Sequence, residues 1–363
     1  MSQERIANLL TFLQQQELDA VLITSPKHVY YLTGFYSDPH ERFMGLVIPA
    51  VGEPTLIVPA LDRDAAMNAS IVKQIVTHTD VQNPFDILKQ ALPGGVKKLG
   101  LEKGHMTVER FEALSAVVAA SQYVDVDRPL REMRMIKTAD EIARIKHAIR
   151  LIEGAIRETV KKVQPGVMEK EIVAELEYQM KRLGAEGPSF STMVLSGENS
   201  ALPHGHPGSR QIRQGELLLF DAGVEADGYV SDITRTFAVG EVNDKLRDIY
   251  ETVLAANKAA IAAVRPGVSF GHLDKTARDL ITEKGYGPYF MHRLGHGLGM
   301  DVHEYPSIHG ENKDELRPGM VFTIEPGVYV PGVAGVRIED NVLVTEDGVE
   351  VLTSFPKELT VIG

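Results

Sequence analysis

GELLLFDAGVEADGYVSDITRTF (215–237) is echoed 104 residues later by GMVFTIEPGVYVPGVAGVRIED (319–340). Each stretch opens on a glycine, runs through apolar strand-forming residues and reaches an acid six positions on, Asp221 in the first and Glu325 in the second. Each then crosses turn-forming residues, ADGY or PGVAG, to a second acid, Asp232 or Glu339. Two further words repeat in the same order. Pro165-Gly166-Val167 returns as Pro266-Gly267-Val268, and Gly187-Pro188-Ser189-Phe190 as Gly287-Pro288-Tyr289-Phe290, at offsets of 101 and 100 residues. Short Gly/Pro words match by chance, but ordered matches at near-equal spacing predict an internal duplication. Two related hairpins facing across a pseudo-two-fold axis would bring four carboxylates to one centre. Only cations could hold them there, because like charges in contact raise one another's pKa.

The histidines gather in the same half. Seven of the twelve lie between 204 and 309, and HRLGHGLGMDVHE places His292, His296 and His303 among Gly295, Gly297 and Gly299. The glycines permit close backbone approach. The spacing is not that of an HExxH zinc helix, and no strand-to-helix context makes GHGLG a dinucleotide loop. With His296 added, Asp221, Asp232, Glu325 and Glu339 form a hard-to-borderline donor set suited to Mn²⁺, Co²⁺ or Zn²⁺. Such a pair of ions activates water for hydrolysis. Asp221 closes a buried apolar run, where a bare carboxylate would be an unpaired charge. Thr234 shares a strand face with Asp232 and can orient a ligand; Arg337 shares one with Glu339, and Asp340 points the other way.

Composition narrows the alternatives. A chain of 363 residues defaults to two domains. The net charge of −12 opposes binding to nucleic acid or to an anionic membrane surface. The absence of cysteine excludes disulfides, thiolate chemistry and Cys-based zinc sites, and suits a cytoplasmic location. MSQERIANLLTFLQQQ reads as an amphipathic helix with Ile6, Leu9, Leu10 and Leu13 on one face, not as a signal peptide. No run approaches the roughly 18 apolar residues of a membrane span.

The fold class expected is α+β in two parts. Residues 1–127 alternate short strands and helices as a small α/β domain with a mixed sheet. Its strand candidates are 20–24, 28–34, 43–49, 54–59, 98–102 and 123–127. The charged, aperiodic stretch 128–137 reads as a linker. A second domain, 138–363, opens on a helix with capping-box spacing at Thr138 and Glu141 and an isoleucine stripe at 142, 145, 149, 152 and 156.

These residues, in this order, closely resemble the metallopeptidases of the "pita-bread" fold, whose members include methionine aminopeptidase, aminopeptidase P and prolidase. The resemblance covers about the last 225 residues. The large N-terminal α/β domain is similar to that of creatinase and of the proline-specific branch, and PSFSTMVLSGENSALPHGHP (188–207) looks like the latter. Creatinase lacks the metal ligands, whereas all five are present here.

The resemblance implies a creatinase-like N-terminal domain and a catalytic domain holding two divalent ions, Mn²⁺ first. Asp221 and Asp232 would bind one ion, His296 and Glu325 the other, with Asp232 and Glu339 bridging. Four carboxylates balance two divalent cations. The implied reaction is hydrolysis of the Xaa-Pro bond, with Glu325 as proton shuttle and His204, His292 and His303 on substrate or intermediate. Phe190 is the expected wall for the proline ring, and Arg293, Arg337, Asp38 and Arg42 are further substrate-binding candidates. A proline-specific pocket is needed because the imide nitrogen has no N–H and the ring fixes φ. A short proline-specific chain with the loop YSDPHERF (36–43) resembles some bacterial prolidases, in which the N-terminal domain reaches the partner subunit's active site. The reading is therefore a homodimeric Xaa-Pro dipeptidase acting on proline-containing dipeptides. Aminopeptidase P, acting on longer peptides, is the alternative, and a non-catalytic peptide-binding module is more remote. The family's carboxylate-binding arginine downstream of His303 has no match here.

Overall fold

Pro26 decides the first departure from the expected strands. It fixes φ at the first helical position, and residues 26–33 form a helix rather than the strand expected over 28–34. His28, Val29, Leu32 and Thr33 are buried at helical spacing, and Gly34 ends the helix at φ 83°, which a side chain would resist. The β-branched and aromatic residues of HVYYLT mimic a strand, and their burial pattern shows otherwise.

The computed structural model describes residues 2–363. The chain divides into two compact units, one ending at Met133 and the other beginning at Arg134. In the first, the strands are β1 (Ala20–Ile23), β2 (Gly45–Pro49), β3 (Thr55–Pro59), β4 (Gln74–His78), β5 (Lys98–Leu101) and β6 (Gln122–Asp125). They form one mixed sheet in the order β4-β3-β2-β1-β5-β6. β1 runs antiparallel to β2 and parallel to β5. β4 is absent from the strands expected: it is a half-exposed edge with little apolar run to reveal it. The helices are α1 (Ser2–Gln15), α2 (Pro26–Thr33), α3 (Arg63–Ala69), α4 (Pro84–Ala91), α5 (Val108–Val117) and α6 (Asp127–Met135). The stretch 128–137, read as a linker, contains the helix α6, and the boundary between the two units falls within it. Its strongly amphipathic charge pattern conceals a helix whose Leu130 and Met135 are buried.

The second unit carries α7 (Ala139–Thr159), α8 (Glu169–Leu183), α9 (Asp244–Ala262) and α10 (Phe270–Glu283). Its strands are β7 (Gly187–Pro188), β8 (Met193–Ser196), β9 (Leu217–Ala222), β10 (Val224–Ala226), β11 (Tyr229–Val230), β12 (Ile233–Val239), β13 (Gly295–Gly297), β14 (Glu304–Ile308), β15 (Val321–Ile324), β16 (Gly327–Val330), β17 (Ala334–Arg337), β18 (Asp340–Val344), β19 (Val349–Val351) and β20 (Val361–Ile362). Two sheets dominate, β20-β12-β9-β8 and β14-β13-β15-β18-β19. Thr138 and Glu141 form the expected reciprocal cap of α7.

The duplication is visible as topology. β9 pairs antiparallel with β12, and the hairpin β10–β11 intervenes. β15 pairs antiparallel with β18, and the hairpin β16–β17 intervenes. The two acids of each half are thus not on directly successive strands, as the turn residues suggested. They flank an inserted hairpin. Each half has its own helical backing. Ile152, Ile156, Ile172 and Leu176 of α7 and α8 pack with Phe220, Ile233 and Phe237, while Ile249, Val253, Phe270 and Leu273 of α9 and α10 pack with Phe322, Ile324 and Val342. This is the pita-bread architecture.

Candidate metal centre

β9 and β12 exist because LLLF and ITRTF are apolar enough to bury, and their register sets Thr234 opposite Asp221. β15 and β18 likewise set Ile324 opposite Asp340, leaving Glu325 and Glu339 just outside the paired strands. Asp221, Asp232, His296, Glu325 and Glu339 then all line one cavity of about 530 Å³. Donor atoms of Asp232, His296 and Glu339 lie within 4.8 Å of one another. His296 Nε2 stands 3.2 Å from Glu325 Oε1 and 3.6 Å from Asp232 Oδ2. Asp340 turns away, to Arg235 at 2.8 Å and Lys357 at 2.6 Å.

The electrostatics are those of crowded anions. Burial, then Glu339, Asp221 and Glu325, push the Asp232 carboxyl well above the usual carboxylate range. Burial and the repulsion of Glu325 and Asp221 lift Glu339 to about 8. Burial, with Asp221, lifts Glu325 to about 7 against the pull of Arg337. Thr234 Oγ1 donates to Glu339 Oε2 at 2.7 Å, whereas the buried Glu339 Oε1 has no hydrogen-bond partner among the described residues. An orphaned anionic oxygen facing other carboxylates fits a divalent cation, which supplies the missing charge and accepts that lone pair. Burial keeps the His296 imidazole neutral, the form that ligates a cation.

Arg337 braces the cluster. Its buried guanidinium donates to Asp221 Oδ2, to Thr234 Oγ1 at 3.0 Å and to Tyr329 Oη at 2.7 Å. Arg337, expected as a substrate contact, lines the cavity and also orients Asp221 directly and Glu339 through Thr234. Tyr329 and Thr323 are site residues that sequence reasoning missed. Tyr329 Oη joins Arg337 to His292 Nε2 at 3.0 Å. Thr323 Oγ1 accepts the His296 N–H at 3.0 Å and donates to Glu325 at 3.4 Å. The cross-strand pairing that carries them is not visible in a linear sequence, although Thr323 lies two residues before Glu325 on the same strand face.

The other candidates divide between the units. His204, His292, Arg293, His303 and Phe190 all line the cavity. Burial, then Arg337, depresses His292 to about 4; burial, then His296, does the same for His303. Both imidazoles are neutral at pH 7. His303 stands edge-on to His296, with ring centroids 4.1 Å apart. Arg293 Nη1 donates to Ser307 Oγ at 3.0 Å. Met193, Pro203 and Val302 add apolar wall that the motifs did not single out. Asp38 and Arg42 belong to the N-terminal unit, where Arg42 pairs with Asp80 at 2.8 Å and Asp38 accepts the His40 N–H at 3.0 Å.

Comparison with known proteins bears on this geometry. Residues 143–346 match the model of metallopeptidase family M24, and residues 5–136 match the creatinase/prolidase N-terminal domain. A putative dipeptidase of Bacillus subtilis, YkvY, is 45% identical over 361 residues, 99% of each chain. The crystal structure of a prolidase from Pyrococcus horikoshii superposes with a TM-score of 0.92 at 38% identity, covering 98% of this chain and 99% of that one. A Xaa-Pro dipeptidase from Bacillus anthracis does so with a TM-score of 0.94 at 35% identity, covering both chains fully. The chain belongs to metallopeptidase family M24, in the group that carries a creatinase/prolidase N-terminal domain.

Proposed function

We propose that the protein hydrolyses the Xaa-Pro bond of dipeptides with two divalent ions, Mn²⁺ foremost. Asp221 and Asp232 would hold one ion and His296 and Glu325 the other, with Asp232 and Glu339 shared. Such ions supply Lewis acidity and a water activated near neutral pH. The observation that carries the substrate is likeness along the whole chain to proteins named dipeptidase and prolidase.

The chain's own groups divide the remaining work. Glu325 carries a proton at its carboxylate from the attacking water to the departing prolyl nitrogen. His303, His292 and His204 surround the scissile peptide, and His303 faces the carbonyl oxygen as charge develops on it. Phe190 offers the proline ring an apolar face. Arg293 is the cation available to a carboxylate within the cavity. Arg337 and Thr234 hold the ligand carboxylates in place. The chain acts as a homodimer in which the N-terminal domain, with the loop carrying Asp38 and Arg42, reaches the active site of the partner subunit.

A panel of Gly-Pro, Leu-Pro and Arg-Pro-Pro with added Mn²⁺ tests this reading. Turnover of dipeptides alone supports it. Release of the first residue from the tripeptide makes the protein an aminopeptidase P. Metal binding without turnover makes it a peptide-binding module.

A further inference from the structure

Glu304 follows the cavity residue His303, yet its carboxylate faces away into an enclosed cage. The side chain is 5% exposed. Oε1 accepts the backbone N–H of Met300 at 2.7 Å and of Asp301 at 3.0 Å, together with Arg134 Nη2. Oε2 accepts Lys137 Nζ at 3.2 Å. Lys137 is itself buried, and Arg134 nearly so, and Arg134 also contacts Asp301 at 2.6 Å. The two cations outweigh the burial of Glu304 and lower its pKa to about 2, so it is a carboxylate throughout the neutral range.

The cage closes around one short segment. A Cβ at Gly299 would stand 2.9 Å from Glu304 Oε1 and 3.0 Å from Lys137 Cε, so no larger residue fits without moving the cage. The Gly299 carbonyl accepts the Val230 N–H at 2.8 Å, two residues before Asp232. Residues 299–304 are therefore pinned to the β11 strand at one end and to the cage at the other. Val302 and His303, between the pins, line the cavity. A buried ion cage is a poor device for stability alone, since apolar residues of similar volume often serve as well. It can, however, orient two backbone N–H groups and fix the turn that presents His303.

We infer that Glu304, caged by Arg134 and Lys137, is a positioning residue for His303. This rests on the reading of His303 as a substrate-facing imidazole of an Xaa-Pro hydrolase. The test compares Glu304→Gln, Arg134→Lys and Arg134→Met, each in wild-type and His303→Ala backgrounds, as Mn²⁺-loaded protein with Leu-Pro. Misplacing a catalytic group by about 1 Å costs up to about a hundredfold in rate. Glu304→Gln is expected to lower kcat by about ten- to a hundredfold while KM changes by less than about threefold. Arg134→Lys retains more activity than Arg134→Met, and that pair carries the same comparison should Glu304→Gln not fold. In the His303→Ala background each change adds less than about twofold, because the group acted upon is gone. Losses that multiply with the His303→Ala loss, or a folded Glu304→Gln variant with unchanged kcat, overturn the inference. Wild-type protein that leaves Leu-Pro uncut overturns the functional reading itself, and a His303→Ala variant with full activity overturns the role of His303. Each of these is distinct from additivity.

Discussion

Arg337 is the residue through which the two halves of the site depend on each other. One guanidinium holds Asp221 from the first half and, through Thr234, Glu339 from the second. Lysine keeps the charge but not the fork. Arg337→Lys is expected to weaken metal affinity or activity by about 10–100-fold, as other outer partners of metal ligands do. Metal titration beside Leu-Pro kinetics checks it. Glu339 gives an opposite pair of effects. Glu339→Gln removes activity, yet in chelator above about pH 8, where the wild-type carboxyl is ionised, it should raise the melting temperature, because a neutral amide no longer repels Asp221, Asp232 and Glu325. Each kcal/mol of relieved repulsion corresponds to about 2–4 °C for a domain of this size. A chelated variant that melts below chelated wild type contradicts the crowded-anion account. At this scale the sequence is legible where a residue is chemically out of place. Asp221 at the end of LLLF announces itself; Tyr329 in GVYV does not, because a tyrosine in a strand needs no explanation until Arg337 lies beside it.

Two elements present the cavity's histidines. Arg278 of α10 pairs with Asp274 at 2.8 Å and donates to the carbonyls of Phe290 at 2.8 Å and His292 at 2.9 Å. Asp274 also accepts the Leu294 N–H at 3.1 Å. Arg278→Met is expected to cost about 1–3 kcal/mol, by loss of these charge-assisted bonds, visible as an earlier urea midpoint with an unchanged m-value. Glu304 makes the segment 299–304 acid-sensitive. Its pKa is lowered in the fold to about 2 from an ordinary value of 4.5, so its contribution is complete above about 4.5 and is lost as pH falls towards about 2. Glu304→Gln should show less acid destabilisation across that window, followed by circular dichroism. Elements were legible in proportion to their periodicity. The capped isoleucine stripe of α7 declares a helix. Residues 127–135 carry so few apolar side chains that the same period disappears into charge, and the β-branched run after Pro26 imitates a strand.

The whole molecule is organised by repetition. Short words at offsets of 101, 100 and 104 residues mark two β units, each backed by a helix pair, and their meeting builds the site. The repetition is readable because glycines and prolines at turns resist substitution by residues that cannot take their backbone geometry. The inserted hairpins β10–β11 and β16–β17 are not, since ADGY and PGVAG signal a turn without saying which strands it joins. Among the described residues, no helix is long and apolar enough to cross a membrane. If the cavity sets substrate length, Leu-Pro should be turned over far faster than Arg-Pro-Pro; equal rates would favour an aminopeptidase. The most direct test of the dinuclear centre is a metal titration of chelated protein, with bound Mn²⁺ and Leu-Pro hydrolysis followed together. Two ions per chain at full activity is the expected result, and full activity with fewer than one ion per chain contradicts it.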